Sequence, residues 1–394
     1  MYTGVVVRKT LCEIFRYALL IFSALIILGI PGLVIQRLQV YGIPYSYMPH
    51  LIFYILPECT QFLLPISLMI GTIITFGRMG AENEITALKS MGIQPVKLVY
   101  PLIGVCTLIS FGAWYINDIS AISRELGIRN LLLSSADEIV NGMLKADGEI
   151  KRSDIYIKAE SIENDTLHNV SLRYWGSNLS LNIGAKEARL SFDRQRRELI
   201  VEMTSGTFSN GNTAKGSFQS KETIRLPIDS ILMGDSSASI TNATMPQMSK
   251  ALKALREEIK KLEEVIAVDS AVTLLTGEYS QYFHSDPSYY RARLQENKDL
   301  LQKTLIEPYR RFTLGFTCLC LVIIAAPLAI YNSHYDVVTN VFISGAPVLV
   351  LFAILFSMGL NFGKQGLLPP WSICLGNVFL VLVGLFLIGK VANE

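Results

Sequence analysis

The chain is poor in charge. Only 17% of its 394 residues are Asp, Glu, Lys or Arg, whereas 51% are hydrophobic. With long uncharged runs, that balance places it among integral membrane proteins. The net charge of +2 gives no argument for nucleic acid as a partner. Cysteine is missing from the large polar middle: Cys12, Cys59, Cys106, Cys318, Cys320 and Cys374 all lie in or beside apolar runs. This excludes a disulfide framework there and makes the thiols small buried hydrophobes. The four histidines, His50, His168, His284 and His334, are too scattered to form a ligand set. No Ser/His or His/Asp spacing supports a lipid-modifying hydrolase or transferase. No G-x-x-x-x-G-K-[ST] stretch is present, so the chain is not itself an ATPase. N-x-S/T triplets begin at Asn164, Asn169, Asn178 and Asn242, as many as chance supplies in a polar, strand-rich region.

What the sequence does have is six apolar runs. The first, Tyr17–Ile35, follows Arg8, Lys9 and Arg16 and lacks a small-residue cleavage site, so it reads as a retained transmembrane helix. The second, Leu51–Phe76, carries Pro57, Glu58 and Pro65. Leu98–Ile116 is the third. Arg311–Tyr331, Val337–Phe362 and Trp371–Lys390 close the chain.

Between Asn117 and Glu307 nothing is apolar enough to span. Asp118–Asn141 reads as helix. From Gly148 the period changes to two, and Asp154–Glu160, Leu167–Trp175, Leu179–Ile183, Ala185–Asp193, Glu198–Thr204 and Phe218–Leu226 read as strands. Their spacing predicts an antiparallel sandwich or open roll. Pro246–Val268 and Pro287–Leu305 then show helical patterns dense in charge, read as a hairpin or as two amphipathic legs.

A polar island, Gly77–Pro101, separates the second and third spans. Asn83 is placed to cap a short helix, Glu82 and Glu84 sit at its positive end, and Gly92 and Pro95 stop it. Ile85, Leu88 and Met91 form an apolar stripe, the mark of an interfacial helix or of a handle for a soluble partner. Short loops on the amino-terminal side carry Arg8, Lys9, Arg16, Arg78, Lys89, Lys97 and Lys390, against Arg37 and Lys364 opposite. Both termini and the short helix are therefore expected in the cytoplasm, with the β domain outside. Arg310-Arg311, at the outer end of the fourth span, is expected either to meet lipid head groups or to pair with Glu307.

Several stretches resemble the LptF/LptG permease family. They are the island GRMGAENEITALKSMGIQPVKLVYP, PLAIYN around Pro327 after EPYRR, and GKQGLLPPWSICLGNVF with Gly366, Pro369, Pro370, Trp371 and Asn377; ARLSFDRQRRELIVEMTSGTF adds a hairpin. The resemblance covers nearly the whole chain. It implies six transmembrane helices, split 3+3, around an inserted periplasmic antiparallel β jelly roll and a helical segment. The divisions are 1–117 with a coupling helix at 82–92, 118–245 for the β domain, 246–307 for the helical segment, and 308–394. The helical segment looks longer than the family's usual connection.

The resemblance also implies a function. Such a permease extracts lipopolysaccharide, or a similar large lipid, from the outer leaflet of the bacterial inner membrane and passes it to a periplasmic jelly-roll bridge. Two related permeases pair above a cytoplasmic ABC ATPase dimer, which hydrolyses the ATP; the permease holds no cofactor. Glu82, Glu84, Ile85, Leu88, Met91 and Gly92 are the expected ATPase contacts. Arg37, Arg310 and Arg311 are the expected head-group contacts. Ile155, Ile157, Leu190, Phe192, Leu199 and Val201 are expected to line an acyl-chain groove, with ordinary sandwich core as the competing reading. Lipoprotein-releasing permeases, which usually have four spans, and a membrane receptor with a β-domain ligand site are the rival functions.

Overall fold

The computed structural model describes residues 2–41, 46, 48–134, 149–151, 155–163, 166–175, 180–193, 198–210, 214–227, 245–276 and 287–393. Contacts within the chain group it into two compact units. One comprises Met1–Gly29, Leu56–Ile122 and Ala243–Glu394; the other comprises Ile30–Ile55 and Ser123–Asn242.

The helices are α1 (Tyr2–Tyr41), α2 (Met48–Ala81), the short α3 (Glu84–Ser90) and α4 (Val96–Ser134). After the strands come α5 (Met245–Thr276), α6 (Pro287–Tyr331), α7 (Val337–Lys364) and α8 (Leu375–Asn393). Among the described residues six stretches are long and apolar enough to cross a membrane: Gly4–Gln36, Met48–Ala81, Val96–Asp118, Tyr290–Tyr331, Val337–Lys364 and Pro370–Ala392.

In the first unit α6 is the central helix. Its most apolar window is 83% buried, against 17% for the windows of α1 and α7. Cys318, Leu321, Val322, Ala325 and Ala326 of α6 are sealed against Met69, Ile73 and Phe76 of α2 and Leu102 and Cys106 of α4. Close helix crossings need small residues. A Cβ built on Gly71 of α2 would lie 2.8 Å from the Ala18 backbone nitrogen of α1. The faces of α1 and α7 that remain, such as Leu28 and Phe342, suit lipid or a second membrane subunit.

α6 joins what the sequence divides. The helical pattern Pro287–Leu305 and the fourth span are one 45-residue helix that continues through Pro308. Arg293 pairs with Glu258 at 4.0 Å and Lys298 with Glu263 at 2.8 Å. Leu255 and Ile259 of α5 and Asn297 and Thr304 of α6 are buried, a spacing that suits the hairpin reading of these two segments.

In the second unit the strands are β1 (Glu149–Lys151), β2 (Ile155–Lys158), β3 (Ser161–Glu163), β4 (Thr166–Trp175), β5 (Ser180–Asp193), β6 (Glu198–Asn210), β7 (Ala214–Phe218) and β8 (Glu222–Pro227). They form one antiparallel sheet in the order β1-β2-β4-β5-β6-β7, with β3 also on β4 and β8 also on β6. The stretches 179–183 and 185–193, read separately in the sequence, meet in one strand, β5, which starts at Ser180; Leu179 lies outside the described residues. Asp154 and residues 135–141, included in the expected elements, lie outside the described residues.

The reason Gly184 looks like a boundary lies just beyond it. Pairing skips one row, Asn169–Lys186–Ser205, in the three long strands. Asn169 (φ 51°) and Ser205 (φ 51°) take the left-handed conformation. The buried positions change parity across that row. In β4 they are Leu167, then Val170 and Leu172; in β5, Ile183 and Ala185, then Ala188. No residue is inserted on either side, so the register is unchanged; the left-handed residues at one level kink the strands and re-aim the side chains beyond them. Asn169 is anchored there by its amide, which donates to Glu160 Oε2 at 2.7 Å.

Strain at the two bends can be told apart. Ser205→Gly removes an L-residue from the left-handed region and is expected to stabilise the sheet by about 1 kcal/mol. Asn169→Gly loses the Glu160 bond as well and is expected to gain nothing. Thermal melting of the two variants checks this, and a fall in melting temperature for Ser205→Gly would contradict it.

Candidate functional site

α3 is built as a fixed projection between two spans. Arg78 in the last turn of α2 binds Glu13 of α1 at 2.5 Å and Glu82 at 2.6 Å. The chain then turns through Asn83 in the left-handed conformation (φ 57°). Asn83 makes no side-chain cap bond, which corrects its expected role; its backbone N–H donates to Gly80 O and its carbonyl accepts from Ala87. The far end closes as a Schellman motif. Gly92 (φ 75°) donates to Lys89 O at 3.0 Å, and Ile93 donates to Leu88 O at 3.0 Å.

Two of the three residues of the apolar stripe, Ile85 and Leu88, face the chain itself, while Met91 does not. Ile85 and Leu88 are 5% and 7% exposed and belong to the core of the first unit. Full burial of two such side chains contributes about 3–6 kcal/mol. The Lys9–Glu84 pair at 3.4 Å is largely exposed and adds at most about 1 kcal/mol. Apolar seating therefore holds α3, and the ion pairs trim its position. What α3 presents outward is Thr86, Ala87, Lys89, Ser90 and Met91, the last 65% exposed, with Glu82 and Gly92 at its ends.

A second polar node abuts the end of α2. Asn340 of α7 is fully buried; its amide donates to Ala329 O at 3.1 Å and its Oδ1 accepts from Ser344 at 2.7 Å. Asn332 donates to the same Ser344 hydroxyl at 3.0 Å. Here α7 runs through a π turn, Val341–Gly345. Gly77 leaves the room, since a Cβ there would stand 3.1 Å from Asn340 Nδ2. In the sequence the only sign of this node is the N-x-x-x-S spacing of Asn340 and Ser344, which puts both on one helix face.

At the other end of α6 the basic pair is taken up internally. Arg310 forks onto Glu307 at 2.8 and 2.6 Å. Arg311 reaches Asp118 of α4 at 2.7 Å and Glu307 at 3.4 Å, and its side chain is only 3% exposed. Two carboxylates and two guanidiniums thus close a near-neutral cluster, with Glu58 of α2 acting electrostatically on Arg310. The pairing reading for Arg311 fits this geometry, while Arg310 keeps partial exposure at 24%. Sequence reasoning weighed Glu307 but missed Asp118. Asn377 ties α8 to this region by donating to Thr313 O at 2.8 Å.

The acyl-groove candidates divide across the bend. Ile157 lies on one side, paired with Leu172. Leu199 and Val201 lie on the other, with Val201 opposite Leu190 and Leu199 opposite Phe192. Ile157, Leu199 and Val201 are fully buried and Leu190 is half-buried. Ile155 and Phe192 have described backbone only, as has Arg37; their side chains lie outside the described residues.

Among the described residues no group of three or more His, Cys, Asp and Glu side chains comes together to bind a metal. The family model described as lipopolysaccharide export system permease LptF/LptG matches residues 8–390. No curated protein matches the chain. Because that match runs through the spans, the projecting α3 and the sheet alike, the chain belongs to the LptF/LptG permease family.

Proposed function

We propose that this protein is the membrane subunit of a lipopolysaccharide exporter that takes its cargo from the outer leaflet of the inner membrane, driven by a partner ATPase. Family membership implies the export role. The observation that carries the mechanism is α3, seated by Ile85 and Leu88 and offering Thr86, Ala87, Ser90 and Met91 outward. A short helix locked to two spans transmits displacement from a soluble motor to the membrane bundle. Drawing a multi-chain lipid from the bilayer exposes methylenes at about 0.8 kcal/mol each, so the step needs outside energy and an apolar path.

On this reading the spans divide 3+3, with 1–117 and 308–394 as the membrane halves. Residues 118–245 form the periplasmic β domain and 246–307 the helical segment, and both termini are cytoplasmic. The bent sheet forms one wall of a jelly roll that receives acyl chains and hands them to a periplasmic bridge. A second related permease covers the open faces of α1 and α7. Arg37 and Arg310 meet lipid phosphates, while Arg311 holds the cluster that positions Arg310.

A photo-crosslinker in place of Leu190, the half-buried groove candidate, tests the reading. Lipopolysaccharide adducts are expected to rise when the reconstituted complex hydrolyses ATP. Adducts independent of ATP would make the sheet a passive binder and sink the proposal.

A further inference from the structure

α7 is gripped at its two ends and loosely held between them. Asn340, Ser344, Gly345 and Val348 are buried at its base, and Gly359 and Gly363 at its far end. No residue of 349–358 is buried. The irregular turn lies at the gripped base: Val341–Gly345 is a π turn, the kind of place where a helix bends.

That base is packed onto the end of α2 with almost no side chain between them. A Cβ on Gly80 would overlap Ser333, in the turn that leads into α7. One on Gly77 would stand 3.1 Å from Asn340 Nδ2, and one on Gly345 would stand 3.2 Å from Ile73 Cδ1. Flexible side chains, which absorb a small shift by changing rotamer, are missing from this contact. Close-packed surfaces of this kind transmit displacement. Arg78, the neighbour of Gly77, holds Glu82 at 2.6 Å just ahead of α3. A push on α3 therefore arrives at the base of α7.

Asn340 sits where these contacts meet. The Ala329 carbonyl that its amide binds is one of the last four of α6, which a helix leaves without internal partners. Its Oδ1 holds Ser344 across the start of the π turn, and Asn332 holds Ser344 from the other side. One fully buried side chain thus closes the end of α6, clasps the π turn and bears on α2.

We propose that Asn340 is a positioning residue for lipid export: it passes displacement of α3 and α2 to α7, which bends at the π turn and carries its loosely held middle with it. This role rests on the export reading and supplies the route from the motor to a span. A residue that only held the bundle together would change how much complex forms. It would not change how much lipid each ATP moves.

The test uses the full complex with its ATPase and partner permease, reconstituted in vesicles with lipopolysaccharide. ATP hydrolysis and lipopolysaccharide delivered to the bridge protein are measured together. Asn340→Leu keeps the volume and removes the bonds. It should retain the ATPase and hydrolyse ATP near the parent rate, while lipid delivered per ATP falls about ten-fold, the usual scale of coupling between sites. Ser344→Ala spares the bond to Ala329 and serves if Asn340→Leu does not fold; its ratio should fall less, but clearly. Val348→Ala, a cavity at a residue 3% exposed on the same helix, should lower the amount of complex and leave the ratio unchanged. Parent-like ratios in the Asn340 and Ser344 variants would overturn the proposal, as would loss of the bound ATPase. A parent complex that hydrolyses ATP and moves no lipid would refute export, and this role with it. A parent that moves lipid beside variants of unchanged ratio refutes the role of Asn340 alone.

Discussion

Glu307→Leu is expected to be the most destabilising single substitution among the polar residues of the chain. Its carboxylate is 8% exposed and serves both Arg310, through a fork at 2.8 and 2.6 Å, and Arg311. Removing it takes both direct bonds from Arg310, which keeps only the longer-range influence of Glu58, and leaves Arg311 with Asp118. Breaking a buried ion pair in this way costs about 3–5 kcal/mol, because the orphaned charge keeps its desolvation penalty. Arg311→Met should cost less, since Glu307 retains the Arg310 fork and Asp118, 29% exposed, regains water. Asp118→Asn should cost least.

That ranking separates a structural cluster from a lipid site. Unfolding of the purified chain in mixed detergent micelles measures it. The double variant Glu307→Leu with Arg311→Met restores charge balance and should be less damaging than the sum of its parts, with a coupling of about 0.5–3 kcal/mol. If Glu307→Leu unfolds at the same detergent fraction as the parent, the cluster contributes no stability, and both arginines would be free to serve as head-group ligands.

The sequence announced its spans because a charge-free run of some 20 residues has few other uses. It did not announce helix ends. α1 extends from Tyr2 to Tyr41 and α6 begins at Pro287, far beyond the apolar runs, because both helices continue outside the hydrocarbon. Period two found most strands yet cut β5 at Gly184, since the unpaired row through Asn169, Lys186 and Ser205 shifts the alternation and mimics a break. Other misses share one cause, which is long range. The Arg311–Asp118 pair joins residues 193 positions apart. An apolar stripe on α3 also cannot say whether its own chain or a partner will cover it.

That last ambiguity sets the second large expectation, now resolvable by separating seating from docking. Leu88→Asp puts a carboxylate where a leucine is 7% exposed. It should release the partner ATPase, but by unseating α3, so the chain's own melting temperature must fall with it. Ala87→Arg acts on the opposite, exposed face. Exposed substitutions of this kind change stability by about 0.5 kcal/mol or less, so the isolated chain should melt normally. A bulky cation at the centre of a docking surface, in contrast, is expected to remove about 2 kcal/mol or more of binding, which is about 30-fold in affinity. Co-purification of the ATPase and its stimulation in vesicles should both be lost. Glu84→Lys, which opposes Lys9 and the dipole of α3, should fall between the two. If Ala87→Arg keeps its ATPase while Leu88→Asp loses it, the outward face of α3 is not the contact, and the motor grips the bundle elsewhere.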